Sequence, residues 1–74
     1  MGKYPVLKPR EVIEILEKLG FKEVRQRGSH KQYHNPDCRH TTLPVHGNRD
    51  ISPIILKRVA KDIGISIDEM LNAR

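Results

Sequence analysis

Residues 25–38 read RQRGSHKQYHNPDC, and this stretch decides the fold around it. Gly28-Ser29 is a tight-turn signal between two runs that can form strands. A second turn signal, Asn-Pro-Asp, follows at residues 35–37 and ends the second run. The stretch therefore predicts a β-hairpin in which His30 opens the second strand.

The flanking sequence adds a third strand and three helices. Pro9 suits a first helical turn, Gly20 suits a helix stop, and Ser52-Pro53 is typical of a helix start. The order predicts an α+β fold similar to a double-stranded-RNA-binding domain, α-β-β-β-α. Two helices should cover one face of a three-stranded antiparallel sheet, with a short C-terminal helix from residue 66. The predicted elements are a helix at 9–19, strands at 21–27, 30–34 and 41–45, and a helix at 53–63.

Alternation along the second strand predicts which side chains face the helices. Tyr33 is its only large apolar residue, so Tyr33 should point inward and His30 should project from the opposite, open face. Lys31 then shares the side of Tyr33, near the start of the strand. In the first strand, Phe21 or Val24 should point inward.

Size and charge limit the class of function. We expect one domain over residues 1–74. A chain of this length with 36% hydrophobic and 4% aromatic residues can form only a small core, which leaves no room for a large enclosed pocket. The working surface should therefore be an open face. Of the net charge of +5, residues 22–49 carry +4, together with all four histidines. A basic patch attracts polyanions, although ordinary solubility charge is the plain alternative.

The single cysteine, Cys38, excludes an intramolecular disulfide. No apolar run approaches the roughly 20 residues that a membrane-spanning helix needs, and the N-terminus has no secretory pattern. These features predict a cytoplasmic protein.

A histidine among cations suggests chemistry on a phosphodiester. Imidazole can accept and donate protons near neutral pH, so His30 could serve as general base towards a ribose 2′-hydroxyl. Arg25, Arg27 and Lys31 could stabilise charge on the phosphate oxygens. Gly28 and Ser29 complete the candidate RNA-binding set, Ser29 either as a turn former or as a donor to phosphate.

A metal site is the alternative that the other histidines raise. His34, Cys38, His40 and His46 are close in sequence, but their spacing does not match the paired ligands of structural zinc sites. We therefore expect neither metal nor cofactor. His46 is expected to end the third strand and support its loop rather than to act in catalysis.

The chain resembles the HicA family of toxin ribonucleases, the basic partners in HicA–HicB toxin–antitoxin systems. The resemblance covers nearly the whole chain from about Leu7. The order and spacing of its motifs make it specific. The motifs are EVIEILEKLGF at 11–21, RGSH at 27–30, YHNPD at 33–37, PVHG at 44–47 and ILKRVAKDIGIS at 55–66.

The resemblance implies a metal-independent endoribonuclease that cleaves mRNA, at the ribosome or in free transcripts. It implies that the catalytic histidine of Gly-Ser-His is His30. It also implies a HicB-like antitoxin that occludes this histidine, and it gives no reason to expect direct DNA binding.

The residues themselves leave two other classes of function open. The same basic face could belong to a non-catalytic RNA-binding module, whose affinity would depend on salt. It could also exist only to hold an acidic protein partner. Cleavage of RNA by the unaltered chain would distinguish the ribonuclease hypothesis from both alternatives.

Overall fold

The computed structural model describes residues 6–73, which form an α+β fold with the element order α-β-β-β-α-α. This confirms the predicted arrangement, which is consistent with a double-stranded-RNA-binding domain. The elements are α1 Pro9–Lys18, β1 Lys22–Arg27, β2 His30–His34, β3 His40–Pro44, α2 Pro53–Ile63 and α3 Ile67–Asn72.

Helix α1 forms because its apolar residues recur on one face. Val12, Ile15 and Leu16 are fully buried, whereas the charged residues between them remain at the surface. Gly20 follows the helix with φ +92°, a left-handed conformation that glycine adopts without a steric cost. The chain can therefore turn at once into the buried Phe21 and strand β1.

The three strands form an antiparallel sheet in the order β1-β2-β3. The register of β1 shifts between Glu23 and Arg25, which leaves Val24 as the extra residue of a β-bulge. Of the two residues expected to point inward, Phe21 is buried and Val24 is 53% exposed. The inward role therefore belongs to Phe21 alone.

Strand β3 begins and ends one residue earlier than predicted. His40 pairs with His34 and opens the strand, and Pro44 closes it. The strand stops at Pro44 rather than at Val45, and proline has no N–H to continue the ladder. On the outer edge of β3, Arg58 Nη2 of α2 donates a hydrogen bond of 2.6 Å to the Thr42 carbonyl.

Both C-terminal helices begin at the serines that the sequence indicated. Ser52 Oγ accepts a hydrogen bond of 3.3 Å from the Ile55 N–H, and α2 ends at Gly64 with φ +80°. At the start of α3, the Glu69 N–H donates to Ser66 Oγ over 3.0 Å. The Glu69 carboxylate accepts from the Ser66 N–H over 2.9 Å, which completes a capping box.

One side of the sheet lies in the core and the other faces solvent. Tyr33, Leu43 and Thr41 are buried in the same layer as the apolar faces of α1 and α2, and α2 packs against β3. His30, His34 and His40 are exposed on the opposite side. Residues paired directly across strands share a side, and we call the solvent side the open face. It comprises Lys22, Arg25, Arg27, His30, Gln32, His34, His40, Thr42 and Pro44.

Candidate active site

The turn at Gly28 fixes where His30 lies. Arg27 pairs with His30, so Gly28 and Ser29 form a two-residue hairpin loop. Gly28 has φ +59°, and glycine at the first central position is the requirement of a type II′ turn. The Ser29 carbonyl accepts a hydrogen bond of 2.6 Å from the Val45 N–H, which ties the turn to the end of β3. His30 is therefore held at the start of β2 by both neighbouring strands.

The same turn places two guanidinium groups beside His30 on the open face. Arg27 is the direct cross-strand neighbour of His30, and Arg25 pairs with Gln32 one step further along. Both arginines are exposed, and within residues 6–73 neither makes an ion pair or a side-chain hydrogen bond. Their donors remain available to a bound anion.

The bulge at Val24 decides the sign of the charge at the far end of the open face. A regular strand counted from the turn would pair Val24 with Tyr33 and Glu23 with His34. The extra residue resets the alternation, so that Glu23 pairs with Tyr33 and Lys22 pairs with His34. A lysine thus replaces a carboxylate on the open face, and none of the nine residues of this face is acidic.

His30 is exposed and unengaged in the described part of the chain. Its ring takes part in no hydrogen bond or ion pair among residues 6–73. An imidazole without a fixed partner can exchange protons with a bound substrate. The geometry therefore brings together His30, Arg25 and Arg27 of the candidate set, with Gly28 and Ser29 in the adjoining turn.

Lys31 is the member of the candidate set that the structure separates from His30. It pairs with the buried Leu43, on the helix side of the sheet, and its Nζ lies 3.6 Å from a Glu23 carboxylate oxygen. The alternation along β2 predicted that Lys31 lies on the side of Tyr33, but it did not predict the ion pair with Glu23. The prediction that Lys31 contacts RNA stays a prediction.

Sequence reasoning missed a histidine pair on the open face. His34 and His40 are direct cross-strand partners, and their ring centroids are 5.6 Å apart with planes inclined by 49°. Lys22 pairs with His34 on its other side. The pair follows only if all five residues 35–39 are counted as the hairpin connection, because the Asn-Pro-Asp turn signal alone would place His34 opposite Cys38.

The loop after β3 is held by its backbone and by Lys8. The His46 carbonyl accepts from the Arg49 N–H over 3.0 Å, whereas the His46 side chain is exposed. Lys8 Nζ lies 2.8 Å from Asp50 Oδ1 and donates to the Asn48 carbonyl over 3.2 Å. His46 thus shapes the loop through its carbonyl rather than its ring.

The described residues hold no metal-type cluster and no cavity. Within residues 6–73, no three His, Cys, Asp or Glu side chains are arranged to bind a metal ion together. No pocket forms in this part of the chain either. The surface that carries the candidate catalytic and anion-binding side chains is the open face.

Comparison with known families decides the identity of the chain. The family model of the HicA toxin of bacterial toxin–antitoxin systems matches residues 9–65, most of the 74-residue chain. The chain belongs to the HicA toxin family. No curated protein matches the sequence.

Membership confirms the resemblance noted from the sequence motifs. This HicA protein is the toxin of a toxin–antitoxin system, and that identity implies an antitoxin partner. The matched region includes all three strands and the turn that holds His30. Among the described residues of this HicA protein, no helix has the length and apolar character needed to cross a membrane.

Proposed function

We propose that this HicA toxin is a metal-independent endoribonuclease that cleaves mRNA, with His30 as its general acid or base. The observation that carries the proposal is the exposed imidazole of His30 beside the Arg27 guanidinium. Neither side chain has a hydrogen-bond or ion-pair partner within residues 6–73, and none of the nine residues of the open face is acidic. Single-stranded RNA fits such a face because its phosphates seek cations and its bases can lie on an open surface. A cytoplasmic location is part of the proposal, since mRNA is found there.

The chemistry needs only groups that the open face offers. The ribose 2′-oxygen attacks the adjacent phosphorus as the bond from phosphorus to the 5′-oxygen breaks. A 2′,3′-cyclic phosphate and a 5′-hydroxyl result. His30 either takes the proton of the 2′-hydroxyl or gives a proton to the departing 5′-oxygen. Arg25 and Arg27 stabilise the charge that develops on the non-bridging oxygens.

The turn residues would serve as backbone contacts for the same phosphate. A Cβ at Gly28 would meet no heavy atom within 4 Å, so the space over the turn is open to a ligand. Ser29 contributes a hydroxyl, and its carbonyl is already used by Val45. We include Gly28 and Ser29 in the RNA-binding set, and we rank Lys31 below the arginines because of its contact with Glu23.

The antitoxin of this system is proposed to be HicB-like and to act by covering the open face. Because no pocket forms in the described residues, a small ligand has nothing to fill, whereas a protein can cover His30 and both arginines together. This inhibition would block RNA binding as well as cleavage.

The decisive test compares the parent chain with His30→Ala on long single-stranded RNA in EDTA. Loss of a general acid or base should reduce the cleavage rate by about 10²–10⁴-fold. The melting temperature should stay close to that of the parent, because the His30 side chain is exposed. Products should carry a cyclic phosphate.

His46→Gln is the matched control, since His46 is also exposed but lies outside the open face. It should cleave like the parent. The proposal fails if the parent cleaves neither free RNA nor mRNA in a translating extract. Salt-dependent binding without cleavage would instead support the RNA-binding module.

A further inference from the structure

The open face is organised as three rows that run across the sheet. Successive rows along β2 are two residues apart, which corresponds to about 7 Å. Each row begins with a cation on β1. The rows are Arg27–His30–Pro44, Arg25–Gln32–Thr42 and Lys22–His34–His40.

The third row, which we call the distal row (Lys22, His34 and His40), is equipped with charge and with rings. Its two imidazoles are exposed and adjacent, with centroids 5.6 Å apart. In the described part of the chain, Lys22 makes neither an ion pair nor a side-chain hydrogen bond. These three residues have no packing role in the core, since all three side chains face solvent.

Among the described residues, no carboxylate pairs with a member of the distal row. Glu23 faces the helix side because of the bulge. Asp37, the carboxylate of the loop between β2 and β3, lies 2.8 Å from Arg39 Nε and is neutralised there. A polyanion can therefore follow the cations of β1 from Arg27 to Lys22 without meeting an opposing charge.

We propose that the distal row is a second RNA-binding subsite, about 13 Å along β2 from His30. Lys22 binds a backbone phosphate, and the imidazoles of His34 and His40 support a base by stacking, as histidine rings do in single-stranded RNA complexes. The proposal rests on the proposed function, since it extends the same substrate along the same face. RNA would then lie along the strands and be held at both ends of the sheet.

The test measures RNA affinity in the non-cleaving His30→Ala background, with EDTA present so that no metal bridges the imidazoles. The probes are oligouridines of about 2 and about 12 nucleotides, below and within the range of common single-strand site sizes. The double variant His34→Gln/His40→Gln should lose about tenfold in affinity for the longer probe, the effect expected from one stacked base. The shorter probe should bind almost as before.

Lys22→Gln tests the phosphate contact independently of the rings. It should reduce the slope of log affinity against log salt by about 0.7, the value for one phosphate contact on a single strand. Lys18→Gln is the matched control, since Lys18 is exposed on α1 and lies outside the sheet. If the double histidine variant fails to fold, Lys22→Gln still decides the question.

Kinetics of the cleaving chain separate binding from chemistry. With long RNA, the distal-row variants should show a raised KM and an unchanged kcat. Unchanged affinity for the longer probe in both sets of variants overturns the subsite. A parent that never cleaves, combined with weaker binding by these variants, rejects the ribonuclease proposal and keeps the subsite.

Discussion

Arg39 shows how a single cation in a basic segment can belong to the fold rather than to the ligand surface. Its Nε lies 2.8 Å from Asp37 Oδ2, and its Nη1 donates to the Ile63 carbonyl at the end of α2 over 2.5 Å. Its guanidinium carbon lies 5.2 Å from the centre of the Phe21 ring. One side chain thus joins the loop before β3, the end of a helix and the core.

Arg39→Ala should lower the free energy of unfolding by about 2 kcal/mol, the typical worth of a charge-assisted hydrogen bond to a buried carbonyl. Urea denaturation would measure the change. Arg49→Ala is the control, because Arg49 is an exposed loop residue, and it should change stability by less than about 0.5 kcal/mol. Equal losses in the two variants would contradict this role for Arg39.

At the scale of the element, the bulge in β1 determines which side chains lie on the open face, and strand propensity does not. Val24 has the residue type of a strand core, yet it is the one unpaired residue of β1. Because the extra residue Val24 is taken up by a bulge, Lys22 stays on the same face as Arg25 and Arg27. The charge pattern of the face is therefore set by backbone geometry as well as by composition.

Deletion of Val24 should leave a regular strand with the existing pairs, Glu23 with Tyr33 and Lys22 with His34. RNA affinity should stay within about twofold, because a bulge adds one residue without altering the pairs on either side of it. Deletion of Gln26 is the contrasting variant, since it brings Arg25 opposite Lys31 on the helix side. Affinity should fall only in the second variant, as anisotropy with labelled RNA would show. Equal behaviour of the two deletions would reject this account of the bulge.

The helices and the turn could be predicted from sequence because their signals are local. Proline, serine and glycine at the helix ends, and Gly28 in the hairpin, act within a few residues of themselves. The bulge and the His34–His40 pair depend on register between strands, which side-chain type alone does not specify. His30, Arg25 and Arg27 therefore lie together beside the turn, whereas Lys31 lies on the other side of the sheet, and the roles of these residues stay predictions. The sequence did not predict the pairing of Lys22, His34 and His40 at the end of the open face away from the turn.

At the scale of the whole molecule, the sheet separates a buried tyrosine from the charged face. Burial raises the pKa of the Tyr33 hydroxyl to about 12, and the carboxylates of Glu23 and Glu17 add to the rise. The unfolded chain titrates this group near pH 10. Unfolding therefore becomes easier as the pH rises from about 10 to about 12, because only the unfolded state then releases the proton.

Tyr33→Phe should remove this part of the alkaline loss of stability, which amounts to at most about 2–3 kcal/mol. Urea titrations at several pH values between about 9 and 11.5 would reveal it. Tyr4→Phe serves as the comparison, since Tyr4 is the only other tyrosine and lies outside the described residues. The same alkaline loss in the parent and in Tyr33→Phe would contradict the assignment.

The two edges of the sheet have a further consequence, for self-association. A flat edge strand exposes unpaired N–H and C=O groups that a second sheet can extend. Here β1 is interrupted by the bulge at Val24, and β3 ends at Pro44 with its Thr42 carbonyl already bound by Arg58. Within residues 6–73, neither edge offers a long regular template, so we expect the sheet to resist edge-to-edge growth into fibrils.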